Sequence, residues 1–234
     1  MDRQTGKRIL LGAAVLALAL IAGLRGGSMV QAIAQSRSER TLVIDAGHGG
    51  FDGGATGSNG TVEQDINLSI AQRVQALAGF FGVRTAMTRA DENALAYDPS
   101  RTIRENKVAD IKAREQIVEE TPNPVFLSIH LNQFSDPQYH GAQVFYSPNH
   151  AGSSALAEFL QGALAEGCDP SNTRKAKQAE RTIYLMKQLD CPAVIVECGF
   201  LSNPEEEQRL NDTEYHKKLA ASIVTGYLRY ENGG

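Results

Sequence analysis

A short apolar run that breaks into glycine and passes at once into a helical pattern leaves a chain few folds to choose from. Thr41, Leu42, Val43 and Ile44 read as a β-strand, and after Asp45 seven glycines fall between Gly47 and Gly60. From about Val62 to Phe81 the residues Ile66, Ile70, Val74, Leu77 and Phe81 recur at steps of four and three, the period of an amphipathic helix. Strand, glycine turn and helix form the unit of open α/β sheets, which keep their sites at the carboxyl ends of the strands. Thr61 and Gln64 have capping-box spacing, which predicts Thr61 as N-cap and sets Glu63 in the first turn, where the positive helix end keeps a carboxylate ionised. His48 stands in the turn itself.

The remainder continues the alternation. Gly82 ends the first helix, Val83 to Thr88 reads as a strand, and 101–120 as a charged surface helix whose apolar positions (Ile103, Val108, Ile111, Ile117, Val118) are sparse. Val125 to Ile129 is the clearest buried strand, followed directly by His130. Ala142 to Tyr146 is a further strand, Ser153 to Glu166 a helix capped by Ser153 or Ser154, and Asn172 to Arg181 a basic loop. Pro192 to Val196 is a strand ending in Glu197. Asn203-Pro204 opens an acidic helical turn, and Thr213 caps a last helix to about Tyr230. Strands alternating with helices predict an α/β fold: a single domain with a mostly parallel sheet and helices on both faces.

At 234 residues, 42% hydrophobic and 21% charged, the chain holds enough apolar residues for one full core. Its net charge of -4 and pI near 5.8 argue against nucleic acid as a partner. Cys168, Cys191 and Cys198 are too few for a disulfide framework and contain no C-x-x-C pair, with one Cys191–Cys198 bridge left open. Arg3, Lys7 and Arg8 precede an uncharged stretch from Ile9 to Leu24, and Ala32-Ile33-Ala34 offers a cleavage site. Residues 1–40 are therefore expected to be an export signal or a retained membrane anchor plus a polar tether, with 41–234 the folded domain, working outside the cytoplasm.

Three strands so read end in His48, His130 and Glu197, with Glu63 just beyond the first. A parallel sheet gathers its carboxyl ends along one edge, so these four residues are expected to converge although 149 positions separate the first from the last. Two imidazoles and one carboxylate make the ligand set of a hydrolytic zinc site with its fourth position open. Glu197 is then the spare carboxylate, general base to the attacking water and proton donor to a leaving nitrogen. Taken singly, each histidine is more commonly a structural hydrogen-bonder, and Glu63 an ordinary helix N-terminal acid.

Local words narrow this further. DAGHGGFDGGATG with Glu63 in the next helix, SIHLN at Ser128 to Asn132, GAQVFY at Gly141 to Tyr146 and VECGFLSNPEE at Val196 to Glu206 resemble the zinc-dependent N-acetylmuramoyl-L-alanine amidases of bacterial cell-wall metabolism. The likeness spans about Thr41 to Tyr230. Leu131 within SIHLN, NTRKAK at Asn172 to Lys177, IYLM at Ile183 to Met186 and LRY at Leu228 to Tyr230 are most similar to the germination-specific branch of spore-forming bacteria. The resemblance implies one Zn²⁺ on His48, Glu63 and His130, Glu197 as catalytic glutamate, and a twisted sheet. It also implies cleavage of the amide between the lactyl group of N-acetylmuramic acid and L-alanine, serving muramic-δ-lactam formation in spore cortex. Peptidoglycan, a glycan strand with stem peptides, is the implied partner, with a protein activator left open. Ala46 departs from the proline common in relatives, and the link from Ser147 to Gly152 is too short for an inhibitory helix. Rival readings are another zinc peptidoglycan peptidase and a catalytically silent wall-binding module.

Secondary candidates follow. Asn132 either contacts the substrate or ties its own loop, and Arg174, Lys175 and Lys177 either hold stem-peptide carboxylates by charge-assisted bonds or form a solvated loop. Asp45 is a candidate to orient a ligand histidine, and Arg114 an ion-pair partner near the site. His140, His150 and His216 read as surface residues.

Overall fold

The computed structural model describes residues 39–233. The expected export or anchor segment therefore lies outside the described residues. Among the described residues no helix is long and apolar enough to cross a membrane.

Six strands form one sheet: β1 (Thr41–Ala46), β2 (Arg84–Met87), β3 (Pro124–Asn132), β4 (Gln143–Tyr146), β5 (Lys177–Gln178) and β6 (Ala193–Phe200), in spatial order β2-β1-β3-β6-β4-β5. β2, β1, β3 and β6 run parallel. β4 is antiparallel to β6 and carries β5 on its outer side. Six helices cover it: α1 (Glu63–Phe80), α2 (Ile103–Glu120), α3 (Gly152–Cys168), α4 (Tyr184–Gln188), α5 (Pro204–Leu210) and α6 (Thr213–Glu231).

Side chains alternate across a strand, and that parity divides the core in two. Leu42, Ile44, Leu127, Ile129, Val194 and Val196 face α1, α3 and α6, where Leu160, Leu164, Ile223 and Tyr227 complete the larger cluster. Val43, Phe126, Ala193 and Ile195 point the other way, against Val118 of α2 and Leu185 and Met186 of α4. Parity also explains the cysteines. Cys191 packs in the smaller cluster and Cys198 in the larger, on opposite faces of the sheet, so the bridge left open between them does not form; all three thiols are free.

Several helix starts differ from expectation because the capping side chains are drawn elsewhere. Val62, not Thr61, is the N-cap of α1 and makes no side-chain bond. Thr61 Oγ1 instead accepts from Asn211 Nδ2 at 2.6 Å. The first amides of α1 are satisfied by the glycine loop, Glu63 N by Ala55 O (3.0 Å) and Gln64 N by Gly53 O (3.1 Å). In α3, Ala151 replaces the expected serine cap, since Ser153 Oγ accepts from Ala193 N of β6 at 3.1 Å. Asp212, one residue before Thr213, caps α6. α2 opens on a full Thr102–Glu105 capping box. The basic loop at 172–181 contains β5, and α4 follows it; two and five residues are too short to show a period.

His216 is not a surface residue. It is buried, with Nε2 donating to Leu210 O at 2.6 Å and Nδ1 accepting from Ser69 Oγ at 2.8 Å. The proton is thereby fixed on Nε2, and burial holds the imidazole below its usual pKa. His140 is exposed, and His150 Nδ1 accepts from Gly152 N at the start of α3.

Candidate metal centre

His130 and Glu197 are not at strand ends but inside β3 and β6, paired across the ladder as Cα partners. Parity puts both on the face of Phe126 and Ile195, with Ser128 and Asp45. The site therefore opens under the thinner layer, α2 and α4, at the carboxyl edge of the sheet. A cavity of about 330 Å³ runs there from His48, His130 and Glu197 to Phe126, Met186 and Ile195.

Glu63, first residue of α1, is the hub. Its Oε1 accepts from Leu131 N (3.0 Å), Asn67 Nδ2 (3.3 Å) and His130 Nδ1 (3.0 Å). Its Oε2 accepts from Ala55 N (2.8 Å) and lies 3.3 Å from His48 Nε2. Burial by itself raises this carboxyl, but the hydrogen bonds and charge of the two imidazoles hold it well below the usual carboxylate range. One donor atom from each of His48, Glu63 and His130 lies within 4.8 Å of the others. Donors about 2.1 Å from a tetrahedral ion stand about 3.4 Å apart, so small side-chain rotations bring the three onto one cation.

The turn that presents His48 is held in an unusual shape. His48 has φ 63°, the left-handed region, costly for a residue with a side chain. Two buried guanidiniums grip its carbonyls. Arg89 donates to Ala46 O (2.9 Å) and Gly47 O (3.0 Å), while Arg114 donates to Ala46 O (2.9 Å) and His48 O (2.6 Å). Asp52 Oδ2 then takes the Nδ1 side of His48 at 3.0 Å, and Lys107 Nζ lies 2.9 Å from Asp52 Oδ1. A hydrogen bond on Nδ1 leaves Nε2 as the free ligand atom. Burial alone lowers the His48 pKa, but the bonds to Asp52 and Glu63 outweigh it and hold the metal-free imidazole at about 9.

Asp45 does not orient a histidine. Thr88 Oγ1 (2.7 Å) and Arg114 Nη1 (2.5 Å) occupy its Oδ1, and Ser128 Oγ (2.5 Å) its Oδ2. Against the opposing effect of burial, Arg114 and the two hydroxyls lower its pKa to about 2. Arg114 is thus the expected ion-pair partner near the site, in a structural role that ties α2 to the His48 turn. The histidine-orienting role belongs to Asp52, which sequence reasoning missed; its only mark there was an i, i+4 relation to His48 inside a glycine loop.

Glu197 differs from the other acids. Its Oε2 is enclosed and without a hydrogen-bond partner. Burial pushes its pKa to about 7, the charge of His130 and His48 pulling down and that of Glu63 pushing up. Asn132 ends β3 nearby with its carbonyl taken by Leu201 N. Arg174 donates to His140 O and Gln143 Oε1, and Lys175 is exposed.

Two glycines leave the room this packing needs. A Cβ on Gly47 meets His130 Nε2 at 2.4 Å, and one on Gly54, whose φ is 73°, meets Glu63 Oε2 at 2.5 Å. Gly47→Ala is therefore expected to displace the His130 ring and weaken divalent-metal affinity by roughly 10- to 100-fold, read by competition with a chromophoric chelator. An unchanged affinity would show that the ring does not take part.

The family model described as N-acetylmuramoyl-L-alanine amidase, Amidase_3, matches residues 42–229. The germination-specific N-acetylmuramoyl-L-alanine amidase of Bacillus subtilis is 35% identical over 193 residues, 82% of this chain and 80% of that protein. Among solved structures, the CwlD amidase from Clostridioides difficile, in complex with the GerS lipoprotein, superposes with a TM-score of 0.79 at 36% identity, covering 83% of this chain and 99% of that one. AmiC2 of Nostoc punctiforme gives 0.69 at 30% identity, covering 83% and 98%. With the family's model matched over nearly all of the sheet and its helices, the chain belongs to the N-acetylmuramoyl-L-alanine amidases.

Proposed function

We propose that this chain uses one zinc ion, held by His48, Glu63 and His130, to hydrolyse the amide between the lactyl group of N-acetylmuramic acid and L-alanine of the stem peptide. The observation that carries the reading is the enclosed, unpartnered Oε2 of Glu197, on the strand beside His130 and in the same cavity as His48, near the three-donor group at one sheet edge. The donor set of two imidazoles and one carboxylate suits zinc, which when bound supplies Lewis acidity toward the amide carbonyl.

This chain's residues do the rest. Asp52 keeps His48 in the tautomer and orientation that expose Nε2. Backbone amides of Ala55 and Leu131 keep the Glu63 carboxylate aimed into the site. Glu197 takes a proton from the attacking water as its oxygen bonds to the carbonyl carbon. It then passes that proton to the L-alanine nitrogen as the C–N bond breaks, and with the second water proton moving from the new carboxylic acid to the amine the products are a lactyl carboxylate and an L-alanine ammonium group. Phe126, Ile195 and Met186 give the cavity an apolar wall beside Glu197, which keeps its carboxyl poorly solvated. Asn132 and Lys175 serve as substrate contacts at the open rim.

Similarity to the germination-specific relative supports action on spore cortex, where stripped muramic acid leads to muramic-δ-lactam. The basic, apolar N-terminal segment supports export, with 1–40 as signal or anchor and 41–234 as catalytic domain. The lipoprotein bound to the C. difficile relative supports an exported protein activator here. Elemental analysis with mass spectrometry of digested cortex tests the reading. One zinc per chain and new L-alanine amino termini are expected, and His48→Ala loses the metal. A cut inside the peptide, or full activity without metal, sinks it.

A further inference from the structure

Beyond the metal group, the carboxyl edge of β3 and β6 carries aromatic side chains for which the reaction above has no use. Phe134, four residues past His130, is 53% exposed, and Tyr139 is 41% exposed. Their rings meet edge to face at 4.9 Å, and Tyr139 stacks on Phe200 at 6.3 Å with 27° between planes. The Arg174 guanidinium lies over this stack, 4.7 Å from the Phe200 ring centre and 5.9 Å from that of Tyr139. Its Nε donates to His140 O at 2.7 Å and its Nη1 to Gln143 Oε1 at 3.0 Å.

The shelf is built on firm ground. Phe134 N donates to Ser202 Oγ (3.1 Å), Asn203 Nδ2 to Pro137 O (2.9 Å) and Gly141 N to the buried Glu206 carboxylate (3.0 Å). Tyr139 also borders a cavity of about 410 Å³ whose other walls are polar, Gln138, His140, Asn172 and Arg174 among them. β6 carries an extra residue between Glu197 and Phe200, so that Phe200 pairs with Asn132, two residues past His130, and stands within about 10 Å of Glu197 along the strand. The shelf therefore begins within reach of a sugar neighbouring the one under attack.

Exposed rings beside amides, an imidazole and a guanidinium suit a ligand with an apolar face and a polar rim. A pyranose has that form: C–H bonds cover its face and hydroxyls its edge. An acidic stem peptide fits less well, because Arg174 is already committed to two protein oxygens and lies against Phe200. We propose that Phe134 and Tyr139 bind a pyranose ring of the glycan strand next to the muramic residue whose amide is cut, with Arg174 as the positioning residue that fixes the stack. This rests on the amidase reading above.

The test compares two substrates with the full-length protein: glycan strands carrying stem peptides, and a single muramoyl residue carrying the same peptide. Phe134→Ala and Tyr139→Ala are expected to raise KM for strands about tenfold and to leave kcat near its wild-type value. Neither constant changes for the single-muramoyl substrate, and Phe134→Trp keeps wild-type KM on strands. Calorimetry of peptide-free glycan strands with the Glu197→Gln protein shows the same tenfold loss when Phe134→Ala is added. Unaltered glycan binding, or a KM that moves equally on both substrates, overturns the shelf. Failure of the amidase reading looks different: the wild-type protein then releases peptide from neither substrate, while glycan binding still reports on the shelf.

Discussion

Glu197→Gln keeps wild-type metal stoichiometry and lowers kcat by about 10²- to 10⁴-fold, the usual contribution of a positioned acid–base group. The substitution preserves shape and removes only the proton-carrying oxygen. It also stabilises the metal-free protein, because the wild-type carboxyl is held at about 7 by burial, above its ordinary 4.5. A raised carboxyl works against the fold as pH rises. Below about 4.5 it is protonated in both states and costs nothing. Between about 4.5 and 7 the unfolded chain releases the proton and the folded chain does not, so stability is lost, reaching about 3 kcal/mol above that window. Glutamine does not titrate. Urea unfolding of both metal-free proteins at pH 4, 6 and 8 is thus expected to show a gap that opens with pH. Turnover within tenfold of wild type removes the base assignment, and a gap independent of pH removes the burial argument.

Arg114→Met is expected to destabilise the protein by about 3–5 kcal/mol, the range for stranding one partner of a buried ion pair. Arg114 is almost wholly buried and donates to Asp45, Asp110, Ala46 O and His48 O. Removing it leaves the buried Asp45 carboxylate with only the Thr88 and Ser128 hydroxyls against its charge and frees the carbonyl of the left-handed His48. In the wild-type protein the Asp45 carboxyl sits at about 2, below its ordinary 3.8. Its contribution is fully present above about 4 and is lost as pH falls toward about 2. The variant loses much of that acid limb, since Arg114 is the largest of the influences that lower the Asp45 pKa, with the Ser128 and Thr88 hydroxyls remaining. Adding Asp45→Asn to Arg114→Met recovers part of the loss, the coupling expected of groups in direct contact. A deficit under about 1 kcal/mol, or simple additivity, argues that the pair is solvated and not the anchor of the turn.

Both variants touch residues that differ in how visible they were from sequence. Glu197 follows Val194-Ile195-Val196, and an acid after a buried run stands out in a linear reading. Arg114 sits in a helix rich in charge, where nothing separates one guanidinium facing inward from several facing water. The same holds for Asp52 and His216. One is an acid in a glycine loop and the other a histidine on a polar helix; their partners, His48 across a tight turn and Ser69 of α1, are set by packing. Thr61 shows the converse, a good local cap signal overridden when Asn211 of α5's end claimed its hydroxyl.

Periodicity and punctuation alone determined the alternating strands and helices, the parallel core of the sheet, and the gathering of His48, Glu63, His130 and Glu197 at one edge. Those follow from short-range sterics and from burying apolar faces, which are written residue by residue. Only the tertiary structure decided which face of the sheet holds the site, that β4 turns antiparallel, that Asp52 and not Asp45 holds His48, and that Arg89 and Arg114 brace the turn. Each of these depends on how elements distant in the chain pack together, or on which of several polar side chains finds a partner once water is excluded, and nothing in the linear order ranks those choices.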